Sequence, residues 1–382
     1  MLLEFGFKNF FSFKEGAIIS YKLDDNCPKS ISNGKDFSTA LVVKGANASG
    51  KTNVLKALFF FSHFIAHSFK SDPNSEIPVV SHFNNPKPSE FYVEFKIEDT
   101  TYFYELVCDK YQVFSEKLFE KNKRKTPLIK RTNNNLVHIH KRESLKNLSS
   151  IKVIRPNTSI ISTAHQYGFK DLSIFYNFFI NIDSNVIHYG LDINRTDIRT
   201  ISEILSEKPA TLKYISNFIA SCGTGVSDIM IKHIIDQDNK KYYFPLFIYN
   251  YNNKEITITE SFESQGTKWL YQYLPLYFSV LEHGGVLILD EFDVHLHPHI
   301  LPKLIDLFIN PEHNPKNAQL LISTHDDGVL NILGKYRSIL VAKEENESFA
   351  YRLDELPSDV VRNDRSLVSA YNQGNLGGVP KL

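Results

Sequence analysis

Cysteine is scarce in this chain: there are three in 382 residues, Cys27, Cys108 and Cys222, all far apart. A scattered, odd set excludes a disulfide framework and a cysteine-based zinc site, and it fits a reducing cytoplasm. Long hydrophobic runs are also missing. The most apolar stretch, Ala57–Ala66, is interrupted by Ser62 and His63. It is about half of the roughly 20 residues needed to cross a bilayer. The opening Met1-Leu2-Leu3-Glu4 lacks the basic and apolar segments of a secretory leader. Formal net charge is zero, so whole-molecule attraction to polyanions is not expected. Internal repeats and low-complexity tracts are absent from the pattern. These absences predict a cytoplasmic protein with no membrane partner.

Core-forming material is plentiful, at 42% apolar residues, so a disordered chain is excluded. The length allows a core domain plus a sizeable insertion. Leu2–Phe7 reads as a strand. Leu41-Val42-Val43 reads as a second strand that runs into a glycine-rich turn. Apolar residues at helical spacing (Val54, Leu55, Leu58, Phe61, Phe64, Ile65) predict a helix over Lys51–Phe69. The prolines of Asp72–Pro88 predict a loop. Alternation from Phe91 to Cys108 predicts a β-meander. Helices are expected over Phe169–Ile182 and Ile198–Ser221, and strands over Thr224–Thr259. Beyond these come a helix at Thr267–Leu281, a buried strand at Gly285–Asp290, a helix at Ile300–Phe308 and a buried strand at Gln319–Ser323. The expected organisation is a split core, residues 1–75 with 260–382, and an insertion over 76–260.

Gly45-Ala46-Asn47-Ala48-Ser49-Gly50-Lys51-Thr52 matches the phosphate-binding pattern G-x-x-x-x-G-K-[ST] throughout. Its glycines let backbone wrap a phosphate, and its consecutive N–H groups and the following helix N-terminus face the anion. Lys51 is suited to the β- and γ-phosphates of ATP, and the Thr52 hydroxyl to Mg²⁺. A strand before and a helix after provide the required context.

Such a loop serves GTPases, kinases and ATPases alike, and the later sequence decides among them. Val286-Leu287-Ile288-Leu289-Asp290-Glu291 is an apolar strand ending in two carboxylates. Asp290 is placed to enter the Mg²⁺ shell, and Glu291 to polarise water as general base. Gln319–Ser323 delivers Thr324 and His325 in the same way. At a strand end His325 is suited to contact the γ-phosphate. Glu263-Ser264-Gln265-Gly266-Thr267 precedes a helix. Ser264 and Thr267 are good capping residues and Gly266 exposes backbone N–H groups, which makes a second phosphate site without a lysine.

In this order (P-loop, Ser-x-Gly before a helix, Asp-Glu strand, strand-end histidine) the chain resembles ABC-type ATPases. It is similar to the RecF/SMC-like branch that includes the OLD family and abortive-infection ATPases of antiphage systems. Phe7-Lys8-Asn9-Phe10-Phe11-Ser12-Phe13 resembles the branch's opening "NF-x-SF". Asn53 after the P-loop threonine, Asp293 and Leu296-His297-Pro298 after the acidic pair, and the closing Tyr371–Pro380 also resemble it. The implied fold is α/β: an ABC-type core, a mixed sheet flanked by helices, with an inserted β/α arm. The implied mechanism is a head-to-tail dimer, or a higher homo-oligomer, around ATP and Mg²⁺. In it Gly45, Asn47, Ala48, Ser49, Gly50, Lys51, Thr52 and Asn53 of one copy face Ser264, Gly266 and Asp293 of the other. The branch's further metal-linked glutamine is expected at Gln166, after a strand-like Ser159–Thr163, with Gln112 as the alternative.

Three weaker patterns remain. His295, His297 and His299 would converge on a metal only from a strand, which Pro298 opposes. Arg131 and His138 have the loose Arg-x-His spacing of some HEPN ribonucleases, but Asn133–Asn135 reads as a turn where helices would be needed. Lys110–Arg155 carries thirteen Lys/Arg against three acids, a local charge of +10. With Tyr111, Phe114 and Phe119 interleaved, it suits nucleic acid or an acidic partner protein. Nothing resembles a Toprim acidic cluster. The expectation is a switch or clamp acting through a separately encoded effector, a nuclease or toxin, in antiphage defence. The alternatives are a RecF-like DNA-repair clamp and a self-contained nuclease in the insertion.

Overall fold

The computed structural model describes residues 1–151, 153–188, 190–191, 197–357, 360–361 and 366–379. Two sheets organise them. The central sheet has six strands, in the order Glu347–Arg352, Ser338–Glu344, Ala40–Lys44, Gln319–Ser323, Val286–Leu289, Ile182–Ser184. Neighbours run parallel except at the first pair, which is antiparallel. Ala40–Lys44, Val286–Leu289 and Gln319–Ser323 are buried at every position, as parallel strands covered on both faces must be.

Period-two alternation sends their side chains into two cores. Leu41, Val43, Val286, Ile288 and Leu321 join one cluster with the P-loop helix Lys51–His67 and its Phe59, Phe60, Phe61 and Phe64. Val42, Leu287, Leu289, Leu320 and Ile322 join the other, with Trp269, Leu274 and Tyr277 of helix Gln265–His283 and Leu304 and Phe308 of helix Leu301–Ile309.

The second sheet is antiparallel and has seven strands, in the order Ala17–Ser20, Leu2–Lys8, Ser89–Ile97, Thr100–Cys108, Val113–Lys121, Lys125–Thr132, Asn135–Ile139. It covers the outer side of the P-loop helix, where Phe60 meets Phe91 at 4.9 Å and Phe10 at 6.1 Å between ring centroids. Fully buried Gln319 ties the two sheets together. Its amide accepts from the Leu2 N–H (2.6 Å) and donates to the Leu2 carbonyl (2.8 Å).

The segment 76–260 is therefore not a body apart. Ser89–Ile97 pairs with Leu2–Lys8, and Ile182–Ser184 pairs with Val286–Leu289 in the central sheet. The helix expected over Phe169–Ile182 is shorter, Ser173–Ile180. Ser159–Thr163 is not a strand. Ser159 caps helix Ile160–Gln166 by accepting from the Ser162 N–H at 2.9 Å. That cap outweighs the β-preference of Ile160 and Ile161. The strands expected over 224–259 form a separate three-stranded sheet, Val226–Ile235, Lys241–Tyr251 and Lys254–Thr259, which leads into the Ser264 helix. Among the described residues no helix is long and apolar enough to cross a membrane.

Candidate nucleotide site

Parallel pairing brings the C-terminal ends of three central strands to one edge. Lys44 leads into the P-loop, Ser323 into Thr324-His325, and Leu289 into Asp290-Glu291. The P-loop needs its glycines. A Cβ on Gly45 would lie 2.2 Å from the Val341 carbonyl oxygen, and one on Gly50 within 2.8–3.0 Å of Ser348, Ser12 and Phe13. Gly50 also has φ 116°, a left-handed value that disfavours other residues. Asn47 and Ala48 form the exposed crest.

Lys51, 8% exposed, turns back on the loop and donates to the carbonyls of Gly45 (3.0 Å) and Ala46 (3.1 Å). Burial holds its ammonium below the usual lysine range, against the opposing pull of Asp290. Among the described residues the buried Ser49 hydroxyl finds no hydrogen-bond partner.

The floor beneath the loop comes from the opening motif. Asn9 takes φ 54°, which asparagine tolerates, and its amide donates to the Lys87 carbonyl at 2.9 Å. The turn it starts presents Ser12. The Ser12 hydroxyl accepts from the Asn53 amide (2.9 Å) and lies 2.7 Å from the Ser348 hydroxyl, whose single proton is within reach of the Ser49 carbonyl (2.5 Å). Ser12 and Ser348 thus belong to the site, although no motif singled out Ser348.

Thr52 and Asp290 meet directly, the Thr52 hydroxyl donating to one carboxylate oxygen at 2.8 Å. Ser323 donates to the other oxygen and accepts from the Glu291 N–H at 3.0 Å. Asn185, at the end of strand Ile182–Ser184, holds the Asp290 backbone at both groups: it donates to the carbonyl (3.0 Å) and accepts from the N–H (2.8 Å). Sequence reading missed Ser323 and Asn185 because neither makes a pattern without the fold. Glu291 is exposed and stands at φ 51°. That conformation costs a non-glycine residue about 1–2 kcal/mol and is supported here by the Ser323 bond.

Asp293 accepts from the His325 N–H of its own chain, at 3.1 and 3.2 Å to its two oxygens. Ser264 is exposed and caps its helix by accepting from the Thr267 N–H at 3.1 Å. Gly266 lies against the loop after Asp290, where a Cβ would come 2.9 Å from the His295 carbonyl oxygen. Contacts of Ser264 and Gly266 therefore run to Thr267 and His295, whereas those of the P-loop run to Ser12, Ser348 and Asp290. Gln166 does not join Thr52 and Asp290. It is exposed at the end of a helix packed on the far end of the P-loop helix. That helix has 17 residues, a span of about 25 Å. Gln112 is likewise remote, in a turn whose neighbour Val113 bonds to Pro156.

The residues fit the groups expected of them. Lys51, the unpartnered Ser49 hydroxyl and the glycine cradle suit a polyphosphate, and Thr52 with Asp290 offers hard oxygen donors for Mg²⁺. Among the described residues no group of three or more His, Cys, Asp or Glu side chains could hold a metal ion, which covers His295, His297 and His299.

About half of the cations of the basic segment are paired. Seven of its thirteen Lys/Arg sit in ion pairs: Lys110, Lys117, Lys121, Lys125, Arg131, Arg142 and Lys146. The partners of the first four, Glu76, Glu94 and Glu105, come from outside it. Lys152 lies outside the described residues. Arg131 is fully buried on a strand, paired with Glu116 at 3.1 Å. The Tyr371–Val379 tail folds back on the core, with the Tyr371 hydroxyl donating to the Gly378 carbonyl at 3.1 Å. Pro380, the last residue of that motif, is outside the described set.

Two solved structures similar to this chain are Smc head domains. One, the SmcHead bound to the C-winged helix domain of ScpA, is 16% identical with a TM-score of 0.45, over 93% of this chain and 99% of that one. The other, an Smc head domain with a coiled coil and joint derived from Pyrococcus yayanosii, is 13% identical with a TM-score of 0.42, over 92% and 97%. No curated protein matches the chain. Residues 40–331 match the family described as "AAA domain, putative AbiEii toxin, Type IV TA system". The chain belongs to that family, and its described residues form an α/β fold whose six-stranded central sheet carries the P-loop.

Proposed function

We propose that the chain is a cytoplasmic ATP-driven switch that hydrolyses ATP in a site completed by a second copy, head to tail. The observation that carries this is the meeting of Thr52, Asp290 and Ser323 at one sheet edge beside Lys51. Lys51 would exchange its loop carbonyls for the β- and γ-phosphates. Thr52 and Asp290 would hold Mg²⁺, which neutralises developing phosphate charge. Glu291 polarises water and His325 orients it. Ser264, exposed and capping its helix, and half-buried Gly266 supply N–H donors to the nucleotide of the facing copy, with Asp293 at the seam. Closure on ATP is the output, passed to a separately encoded nuclease or toxin in antiphage defence.

Light scattering with ATP tests this. Glu291→Gln is expected to double in mass with ATP, and Lys51→Ala to stay monomeric and unliganded. A wild-type protein that turns over ATP at full rate as a monomer, unaffected by Ser264→Arg, would sink the composite site. Pull-down with the product of an adjacent gene tests the effector, and antiphage defence by this chain alone would remove the need for one.

A further inference from the structure

Lys44 ends the P-loop strand, one residue before Gly45, and its side chain is only 4% exposed. Taking an ammonium out of water costs several kcal/mol, so its partners show what it is for. None comes from its own strand. It donates to the His325 carbonyl at 2.5 Å and pairs with Asp327 at 2.7 Å, and its Nζ lies 5.6 Å from the centre of the Tyr371 ring. The first two lie in the loop after strand Gln319–Ser323, and the third is in the closing tail.

Asp293 meanwhile receives the His325 N–H. His325 is thus held at both backbone groups, its carbonyl by the P-loop strand and its N–H by the loop after Asp290. Its side chain is exposed. A buried lysine contributes little to stability that a methionine of similar volume would not, so stability alone does not account for its presence.

We propose that Lys44 is a positioning residue for hydrolysis: it fixes the His325 backbone so that the imidazole stands at a set distance from the P-loop and Glu291. The inference rests on the reading of His325 as the group that orients water at the γ-phosphate. It concerns the rate of the chemical step and leaves ATP binding to the loop itself. Misplacing a catalytic group by about 1 Å costs on the order of 100-fold in rate.

Four variants of the full chain decide it: Lys44→Met, Lys44→Arg, His325→Ala and the double variant Lys44→Met with His325→Ala, each assayed for kcat and KM with ATP and for thermal midpoint. Lys44→Met is expected to keep its midpoint and its KM while kcat falls about 10- to 100-fold. Lys44→Arg, which can still reach a carbonyl and a carboxylate, recovers part of kcat. Lys44→Met added to His325→Ala lowers kcat no further, because a scaffold without its imidazole has nothing to position. If His325→Ala is slow and Lys44→Met is as fast as wild type, or the two losses multiply, the proposal is overturned while the reading of His325 stands. If His325→Ala retains full rate, that reading falls and this inference with it. Should Lys44→Met fail to fold, Lys44→Arg in the His325→Ala background carries the test, and a further fall in kcat there counts against the proposal.

Discussion

At the scale of single residues, Asp290 has both carboxylate oxygens and both backbone groups engaged, by Thr52, Ser323 and Asn185. A carboxylate so held has no rotamer to search before it meets a cation. Ser323→Ala is expected to free one oxygen of Asp290 and the Glu291 N–H. Hydrogen bonds to charged groups are worth about 1.5–3 kcal/mol, so both the thermal midpoint and kcat should fall, the latter without a matching rise in KM. Gly45–Thr52, Asp290 and Glu291 were legible in sequence because their pattern is local. Ser323 and Asn185 were not, since a serine at a strand end and an asparagine after a three-residue strand carry no signal until the strands are side by side. His188 makes a second residue-scale case. Its ring packs on Phe59 (5.2 Å) and His63 (5.6 Å), and burial, aided by Lys56, lowers its pKa to about 4. The unfolded chain binds a proton near pH 6.5 and the folded one does not, so stability falls as pH drops from 6.5 towards 4. His188→Phe should flatten that slope in melts between pH 7 and 5, and an unchanged slope would assign it to other groups.

Elements add what residues lack, which is direction. The helix Gln265–His283 begins at an exposed serine, fixed by the Thr267 bond and preceded by Glu263, which accepts from the Tyr249 hydroxyl at 2.5 Å. Its N-terminal N–H groups therefore have one orientation. Ser264→Ala is expected to cost about 1 kcal/mol through loss of the cap, read as a drop in denaturation midpoint. It should also weaken ATP-dependent mass doubling in a Glu291→Gln background; a stability loss with no effect on assembly would confine Ser264 to capping. The start of this helix was readable from Ser264 and Thr267. The helix ending at Gln166 was not, because seven residues rich in isoleucine read equally as a strand until the Ser159 cap is seen. A strand as short as Ile182–Ser184 gave no warning that it would sit beside Val286–Leu289.

Across the whole molecule, the two sheets are joined through Gln319. From within the central sheet its amide takes up the N–H and carbonyl of Leu2, at the start of an inner strand of the antiparallel sheet. Gln319→Leu would keep the volume but leave the Leu2 N–H and carbonyl buried and unpaired. The expected loss is on the order of 3 kcal/mol, seen as a lower urea midpoint with the same dependence on denaturant; a midpoint within error of wild type would mean that water or a shifted backbone takes over those bonds. The split between core and insertion was only partly legible for the same reason: sheet membership is decided by non-local pairing, and the meander after residue 89 continues the sheet opened by Leu2–Lys8. The parallel order has a consequence during synthesis. Lys44 grips the carbonyl of a residue made 281 positions later, and at about 5–20 residues per second a ribosome needs roughly 15–55 s to reach it. For that interval the wholly apolar Ala40-Leu41-Val42-Val43 has emerged without its neighbours. It is an adhesive segment awaiting a late partner, and expression yield should depend on how well chaperones shield it.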